Sequence, residues 1–422
     1  MRFILLLVFV VSLEAQPVVL TLEQARELAL KNHPALAALD YSARAAAEQP
    51  KQIRAALAPQ LAAGITGSAA DESSRFVYSG LSSPLLISRL GGGLQLNQLI
   101  HDSGRTRLLS ESAAYRSEAQ KELIKSARLQ VLSAVDRAYF SILRARVITR
   151  VAAQTVQARQ LVVDQVSALT NSQLRSTVDL SFAKVNLADA QILLNKANNE
   201  RDAAVAEFTA AIGLRDNMSF EIEDRSVNEN LPPEAEPLVM RAIAERPELR
   251  QLALELEAGQ KQLEAENRLS RPVFSLQGAV GGLSPTRSGF PNHYAALGVS
   301  VSIPILNGRL FESRQAEVAL RNRAVEKVRE ERGNQIARDV RTAFLNARNA
   351  FLRLRLTQEL LDQTRLSLEL SQSRYDLGLG SIVELSQAQL NQTSAEVASA
   401  SARYEYQILR SILRYQLGEG AL

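Results

Sequence analysis

The chain has 422 residues, 46% of them apolar, so it can bury a sizeable core, yet only 5% are aromatic and none is tryptophan. That balance suits long helices rich in Ala, Leu, Gln and Ser better than a compact β-sandwich. Charge is nearly even, 49 basic residues against 45 acidic ones, with no basic block interleaved with aromatics, which argues against a nucleic-acid partner; the lack of cysteine excludes disulfides, thiolate zinc sites and lipid attachment through an N-terminal Cys.

The opening "MRFILLLVFVVSLEAQP" carries one early positive charge, an apolar run from Phe3 to Val11 and a small residue at Ala15. This predicts an export signal over 1–15, too short for a spanning helix of ~20 apolar residues. No later stretch reaches that length. A membrane-inserted mature chain would therefore have to use strands closed into a barrel.

After the signal the sequence is written twice. Pro34 pairs with Pro247 and Pro59 with Pro272, both at an offset of 213; Gly104 pairs with Gly308 at 204. Val135, Ala138 and Tyr139 match Val340, Ala343 and Phe344 at 205, as Ser176, Asp179 and Leu180 match Ser381, Glu384 and Leu385, and Gly213 matches Gly418. Such steady offsets predict a first repeat over 16–213, a linker over 214–236 containing "NENLPPEAEP", and a second repeat over 237–422.

Each repeat opens with amphipathic helices, "LTLEQARELALKN" leading the first. Pro50, inside "AAAEQPKQIRAAL", predicts a kink or break. Two glycine-dotted strands follow, about 60–70 and 90–100 in the first repeat, about 272–282 and 294–305 in the second. Their second members alternate: Leu94 and Leu96 oppose Gln95 and Asn97, while Val299, Val301, Ile303 and Ile305 oppose Gly298, Ser300, Ser302 and Pro304.

From Arg105 to Leu169 there is neither proline nor glycine, which predicts a helix of roughly 100 Å. A returning helix is expected from about Val178 to Ile212. Leu180, Ala183, Leu187, Ala190, Leu194, Ala197, Ala204, Phe208 and Ala211 follow heptad spacing along it, and Val178, Val185 and Ile192 add a second stripe. Two stripes suit a helix with neighbours on both sides; a long antiparallel coiled coil remains an alternative. The fold class expected is mainly α with a small β part.

Four strands per chain cannot close a barrel, since the smallest membrane barrels use eight. Two copies would give eight strands with a plugged lumen, and three would give twelve with room for a pore, for which the polar Gln95, Asn97, Ser300 and Ser302 are suited. The three-copy reading is preferred.

The chain resembles the TolC-like outer-membrane efflux proteins in five passages taken in order: "LTLEQARELALKNHPAL", the junctions "LQLNQLIHDSGR" and "VSVSIPILNGR", the turn "SRYDLGLGSIVELSQAQL", and the close "YEYQILRSILRYQLGEG". The resemblance implies a homotrimer with a shared twelve-stranded barrel in outer-membrane lipid, continued by a long antiparallel α-helical barrel in the periplasm. It also implies two partners, a periplasmic adaptor and an inner-membrane transporter. The chain would be a passive conduit, with no catalysis, cofactor or metal. The rival reading from another class is a soluble periplasmic coiled-coil adaptor or structural protein.

On that resemblance the turns at 170–178 and 375–382 form a periplasmic mouth. Glu384 matches an acid of a ring that narrows it, whereas a second acid three residues on is Gln387 here. Asp179 and Tyr375 match an acid and a tyrosine that hold the hairpins closed, and their basic partner falls on Gly380 and is missing. Gly378 and Gly380 would let the turn bend tightly. The plainer reading of both Ser-x-x-acid passages is helix capping, with Ser381 and Glu384 as a capping box.

Overall fold

A computed structural model describes residues 18–68, 77–78, 81–82, 89–215, 220–224, 231–284 and 292–419. The expected export signal lies outside these residues. In chain order the elements are β1 (Val18–Leu20), α1 (Leu22–Asn32), α2 (Pro34–Ala55), β2 (Gln60–Ser68), β3 (Val77–Tyr78), β4 (Leu81–Ser82), β5 (Arg89–His101), α3 (Arg105–Asn171), α4 (Thr177–Ala211) and β6 (Phe220–Ile222). Then come α5 (Glu236–Glu245), α6 (Pro247–Glu266), β7 (Val273–Leu283), β8 (His293–Ser302), α7 (Leu310–Asp376) and α8 (Ile382–Gln416). The outgoing helices α3 and α7 each have 67 residues and the returning helices α4 and α8 each have 35.

The chain divides into two compact units, each drawing on both halves of the sequence. One contains 38–124 and 247–333 and holds the main sheet, of order β2-β5-β7-β8 with every neighbouring pair antiparallel. Cross-strand register sorts its faces. Leu96, Gly278 and Leu297 share one row with Leu61; the next row holds Gln95, Ala279 and Ala296 with Ala62, and the alternation continues with Asn97, Gln277 and Gly298. Both faces of the sheet are open in the single chain; on the apolar one Leu297 is 74% exposed and Ile65, two residues along β2 from Ala63, is 83% exposed. β2 and β8 form the two edges of this sheet.

Strand β8 stops at Ser302, short of the expected 305. In register Ile303 would face Pro272, and neither Pro272 nor Pro304 has an N–H to donate, so the ladder ends before Ile303 and Ile305, which stand exposed. Pro50 does not break α2, which runs unbroken to Ala55; the Ser110 hydroxyl donates to the Pro50 carbonyl at 3.0 Å. The long helices begin after left-handed turns at Gly104 (φ 84°) and Gly308 (φ 58°), which explains why a glycine recurs at each strand-to-helix junction. In the same unit the buried Glu266 carboxylate, at the end of α6, lies 3.5 Å from both Arg105 and Arg314, at the starts of α3 and α7.

The other unit contains residues up to 37 together with 125–246 and 334–422. Its largest core gathers Ala25, Ala29, Val135, Tyr139, Ile142, Phe208, Ile212 and Tyr404. The span expected as a linker contains β6, which pairs in parallel with β1. Tyr139 secures this small sheet, donating to the Glu223 carbonyl at 2.7 Å with the Leu20 carbonyl at 3.2 Å. Burial pushes its phenol up to about 12. Arg26 of α1 grips the buried Asp136 of α3 through two bonds of 2.7 and 2.6 Å, a fork geometry that gives direction as well as energy.

On α4 the heptad alanines Ala183, Ala190, Ala197 and Ala204 are all buried. Their small side chains let a neighbouring helix approach closely. The second stripe, Val178, Val185 and Ile192, is exposed in the single chain. Phe208 is fully buried edge-on to Tyr139 at 6.1 Å between centroids. Phe208→Ala should cost about 3–5 kcal/mol, the range for truncating a core aromatic. A thermal melt followed by circular dichroism tests this, and a midpoint unchanged from wild type would contradict the assigned core.

Candidate functional site

Both hairpin tips belong to the second unit described and end their outgoing helices in the same way. Leu379 N–H donates to the Arg374 carbonyl at 2.8 Å, and Leu174 N–H donates to the Leu169 carbonyl at 2.8 Å, the long-range bond of a Schellman ending. That ending requires a left-handed residue, supplied by Gly378 (φ 74°) in one tip and by its counterpart Gln173 (φ 58°) in the other. Gly380 is different. Its place is one of close approach, where a Cβ would meet Arg374 Cβ and Tyr375 N at 3.3 Å.

The returning helices then start on serine caps. Ser381 Oγ accepts from Glu384 N–H at 3.1 Å, and Ser176 Oγ accepts from Val178 N–H at 3.1 Å. The expected capping box at Ser381 is only half made. The Glu384 carboxylate turns instead to Arg374 Nε at 3.2 Å, because that guanidinium already reaches over the turn to the Leu379 carbonyl at 3.3 Å. Both members of the Arg374–Glu384 pair are exposed, so the pair adds little stability but partly neutralises the acid.

Tyr375 is buried in a small cluster with Ile382 and Leu385. Arg175, from the other tip, lies over its ring at 4.4 Å from the centroid and donates through Nη2 to the Tyr375 carbonyl at 2.9 Å. One guanidinium thus joins the two hairpins by a cation–π contact and a charge-assisted hydrogen bond. The Tyr375 hydroxyl is buried without a hydrogen-bond partner among the described residues. Burial raises its pKa, Arg175 opposes the rise, and the charges of Asp179 and Asp376 add to it. The phenol is therefore neutral at ordinary pH; its contribution is complete below the usual tyrosine value of about 10 and is lost only as pH rises past the raised one.

Of the residues expected at the mouth, Tyr375 and Asp179 fall within one another's electrostatic reach, while Glu384 pairs with Arg374, the residue before Tyr375. Gln387 stands apart, donating to Asn391 at 2.9 Å on its own exposed helix face. Farther up, Asn186 of α4 donates to Ser386 of α8 at 2.7 Å, a second tie between the returning helices.

This double hairpin with a four-stranded sheet is shared by known proteins. Residues 25–214 and 238–419 match the family described as outer membrane efflux protein. The chain belongs to the outer membrane efflux protein family. It is similar to outer membrane protein TolC of Salmonella enteritidis, 23% identical over 403 residues that cover 89% of this chain and 77% of that protein. Among solved structures, a membrane protein from Pseudomonas aeruginosa superposes with a TM-score of 0.81 at 20% identity, covering 96% of this chain and 91% of that one. The Campylobacter jejuni CmeC outer membrane channel superposes with a TM-score of 0.81 at 17% identity, covering 94% and 85%. This chain is thus a TolC-like outer membrane efflux protein, mainly α with a small β part. Among the described residues no helix is long and apolar enough to cross a membrane.

Arg175 and Arg374 escaped the sequence reading. Gly380 is the second-repeat counterpart of Arg175, so the position that looked vacant in one tip is filled from the other. Only a contact between residues 200 apart reveals it. Arg374 carried a local signal, standing ten residues before Glu384 across a turn that doubles back. Arg175→Gln should speed amide exchange at 172–177 and 375–382, whereas Tyr375→Phe should leave exchange unchanged or slower, since it removes only an unpartnered hydroxyl. Equal loosening by both variants, measured by hydrogen–deuterium exchange, would count against the contact described.

Proposed function

We propose that three copies of this chain assemble into one passive export conduit, with a shared twelve-stranded barrel in the outer membrane and a helical tunnel in the periplasm. The observation that carries this is the sheet: four antiparallel strands with one apolar and one polar face, and with β2 and β8 each paired on one side only among the described residues. Unpaired strand edges in hydrocarbon are costly, and additional copies remove them by pairing edge to edge. The exposed stripe Val178, Val185 and Ile192 supports the same reading, because it offers α4 a second helical neighbour that one chain does not supply.

The tips would form the periplasmic mouth. Arg175 on Tyr375 holds the hairpins of one chain together, with Asp179 nearby, while Glu384 contributes a carboxylate per copy whose field Arg374 moderates. The exposed Leu174 and Leu379 are repeat counterparts on the two turns and suit docking of a periplasmic adaptor, through which an inner-membrane transporter would supply the cargo and the energy.

Native mass spectrometry of the mature chain, with and without detergent, tests the assembly. A trimer kept soluble only by detergent is expected; a monomer or dimer soluble without it would replace the conduit by a periplasmic coiled-coil protein. In planar bilayers under a salt gradient, Glu384→Gln should lower cation preference and Arg374→Gln should raise it. Reversal potentials that do not move in opposite directions would remove this pair from the selectivity of the mouth.

A further inference from the structure

Above the tips, two cavities flank a single arginine. One, of about 680 Å³, lies between α3, α7 and α8; the other, of about 450 Å³, lies between α3, α4 and α8. They share Thr155, Arg159 and Thr393. Arg159 is only 8% exposed, and its guanidinium makes no hydrogen bond or ion pair among the described residues. Burial alone pushes it down to about 10, with no carboxylate close enough to pull it back.

The surrounding polar groups are mostly committed elsewhere. Thr155 donates to the Val151 carbonyl at 2.8 Å and Thr393 to the Gln389 carbonyl at 3.0 Å, so neither hydroxyl proton points to a guest. In the larger cavity Glu396 pairs with Arg365 at 3.7 Å, and Asp376 accepts from Gln372 at 2.9 Å. The smaller cavity is walled by Ala190, Leu193, Leu390 and Val397, with the exposed Asp189 on its rim. A guanidinium on a nearly buried residue that opens into a cavity beside an apolar wall is strongly favoured once an anion accepts its hydrogen bonds.

We propose that Arg159 anchors a binding site for small amphipathic organic monoanions, a carboxylate or sulfonate held by the guanidinium with an apolar body against Leu193, Leu390 and Val397. Asp189 disfavours a second negative charge on the guest. The larger cavity extends down to Asp376 in the turn at the tip, but the guest is held in the smaller one, and the existence of the site does not depend on the conduit reading.

The test uses the purified full chain in a non-ionic detergent, with 4-(trifluoromethyl)benzoate as the probe and its fluorine resonance as the signal. Saturable binding is expected for the benzoate and not for 4-(trifluoromethyl)benzamide, a comparison that needs no variant. Arg159→Gln should weaken benzoate binding roughly tenfold or more, with Arg159→Lys in between because it keeps the charge and loses the fork. Leu390→Ala should weaken binding while leaving the preference for acid over amide intact. Equal binding of acid and amide, undiminished binding by Arg159→Gln, or no saturable binding by the wild-type chain would each overturn the site. The last outcome would point to a carboxylate of another copy as the partner of Arg159.

Discussion

Backbone pairing is the constraint on which the rest of this architecture depends. Every strand must give its N–H and C=O groups to a neighbour, and the described residues of one chain supply four strands in this row. The row cannot finish itself in a lipid phase, where water is absent and each unpaired group costs several kcal/mol. The alternation of side chains follows from the same ladder. Register puts Leu61, Leu96 and Leu297 on one face and Gln95, Asn97 and Gln277 on the other, so one sheet carries an apolar and a polar surface with no added element. The helices obey a related economy. Where Ala recurs every seventh residue on α4, all four positions are buried, and the side chains that would keep helices apart are absent.

Charge at the tips is arranged to tie rather than to stabilise. Arg374 and Glu384 are exposed to water, so their attraction is weak and screened by salt. Arg175 lies instead over a buried ring, where part of its hydration is replaced by the aromatic face and a carbonyl. The Tyr375 hydroxyl remains unanswered in the same cluster, a small cost retained beside the contact that joins the hairpins.

Much of the fold is legible in the sequence because it is governed by local rules. The absence of proline and glycine across Arg105–Leu169 marks α3 within two residues of its end at Asn171, and period-two alternation marks β5 and β8. Local rules also explain the misses. β8 ends early because the donors missing at Pro304 and at the facing Pro272 outweigh the continuing alternation of Ile303 and Ile305, while helix propagation carries α2 through Pro50. β1 and β6 are three residues each and exist only through pairing with one another, for which short windows give no periodic signal. The site follows the same division. Ser176 and Ser381 were recognisable as caps from spacing alone, but the partner that diverts Glu384 from its capping box, and the arginine that reaches Tyr375 from another hairpin, belong to tertiary structure.

The contact between Arg175 and Tyr375 also changes the count of independent motions. Duplication gives each chain two tips with nearly the same turn, and two such tips would ordinarily swing separately. One guanidinium couples them, so displacement of either hairpin pulls on the other through the ring and the carbonyl. In the proposed conduit each chain would then bring one moving part to the mouth instead of two, and a partner engaging a single tip would act on both.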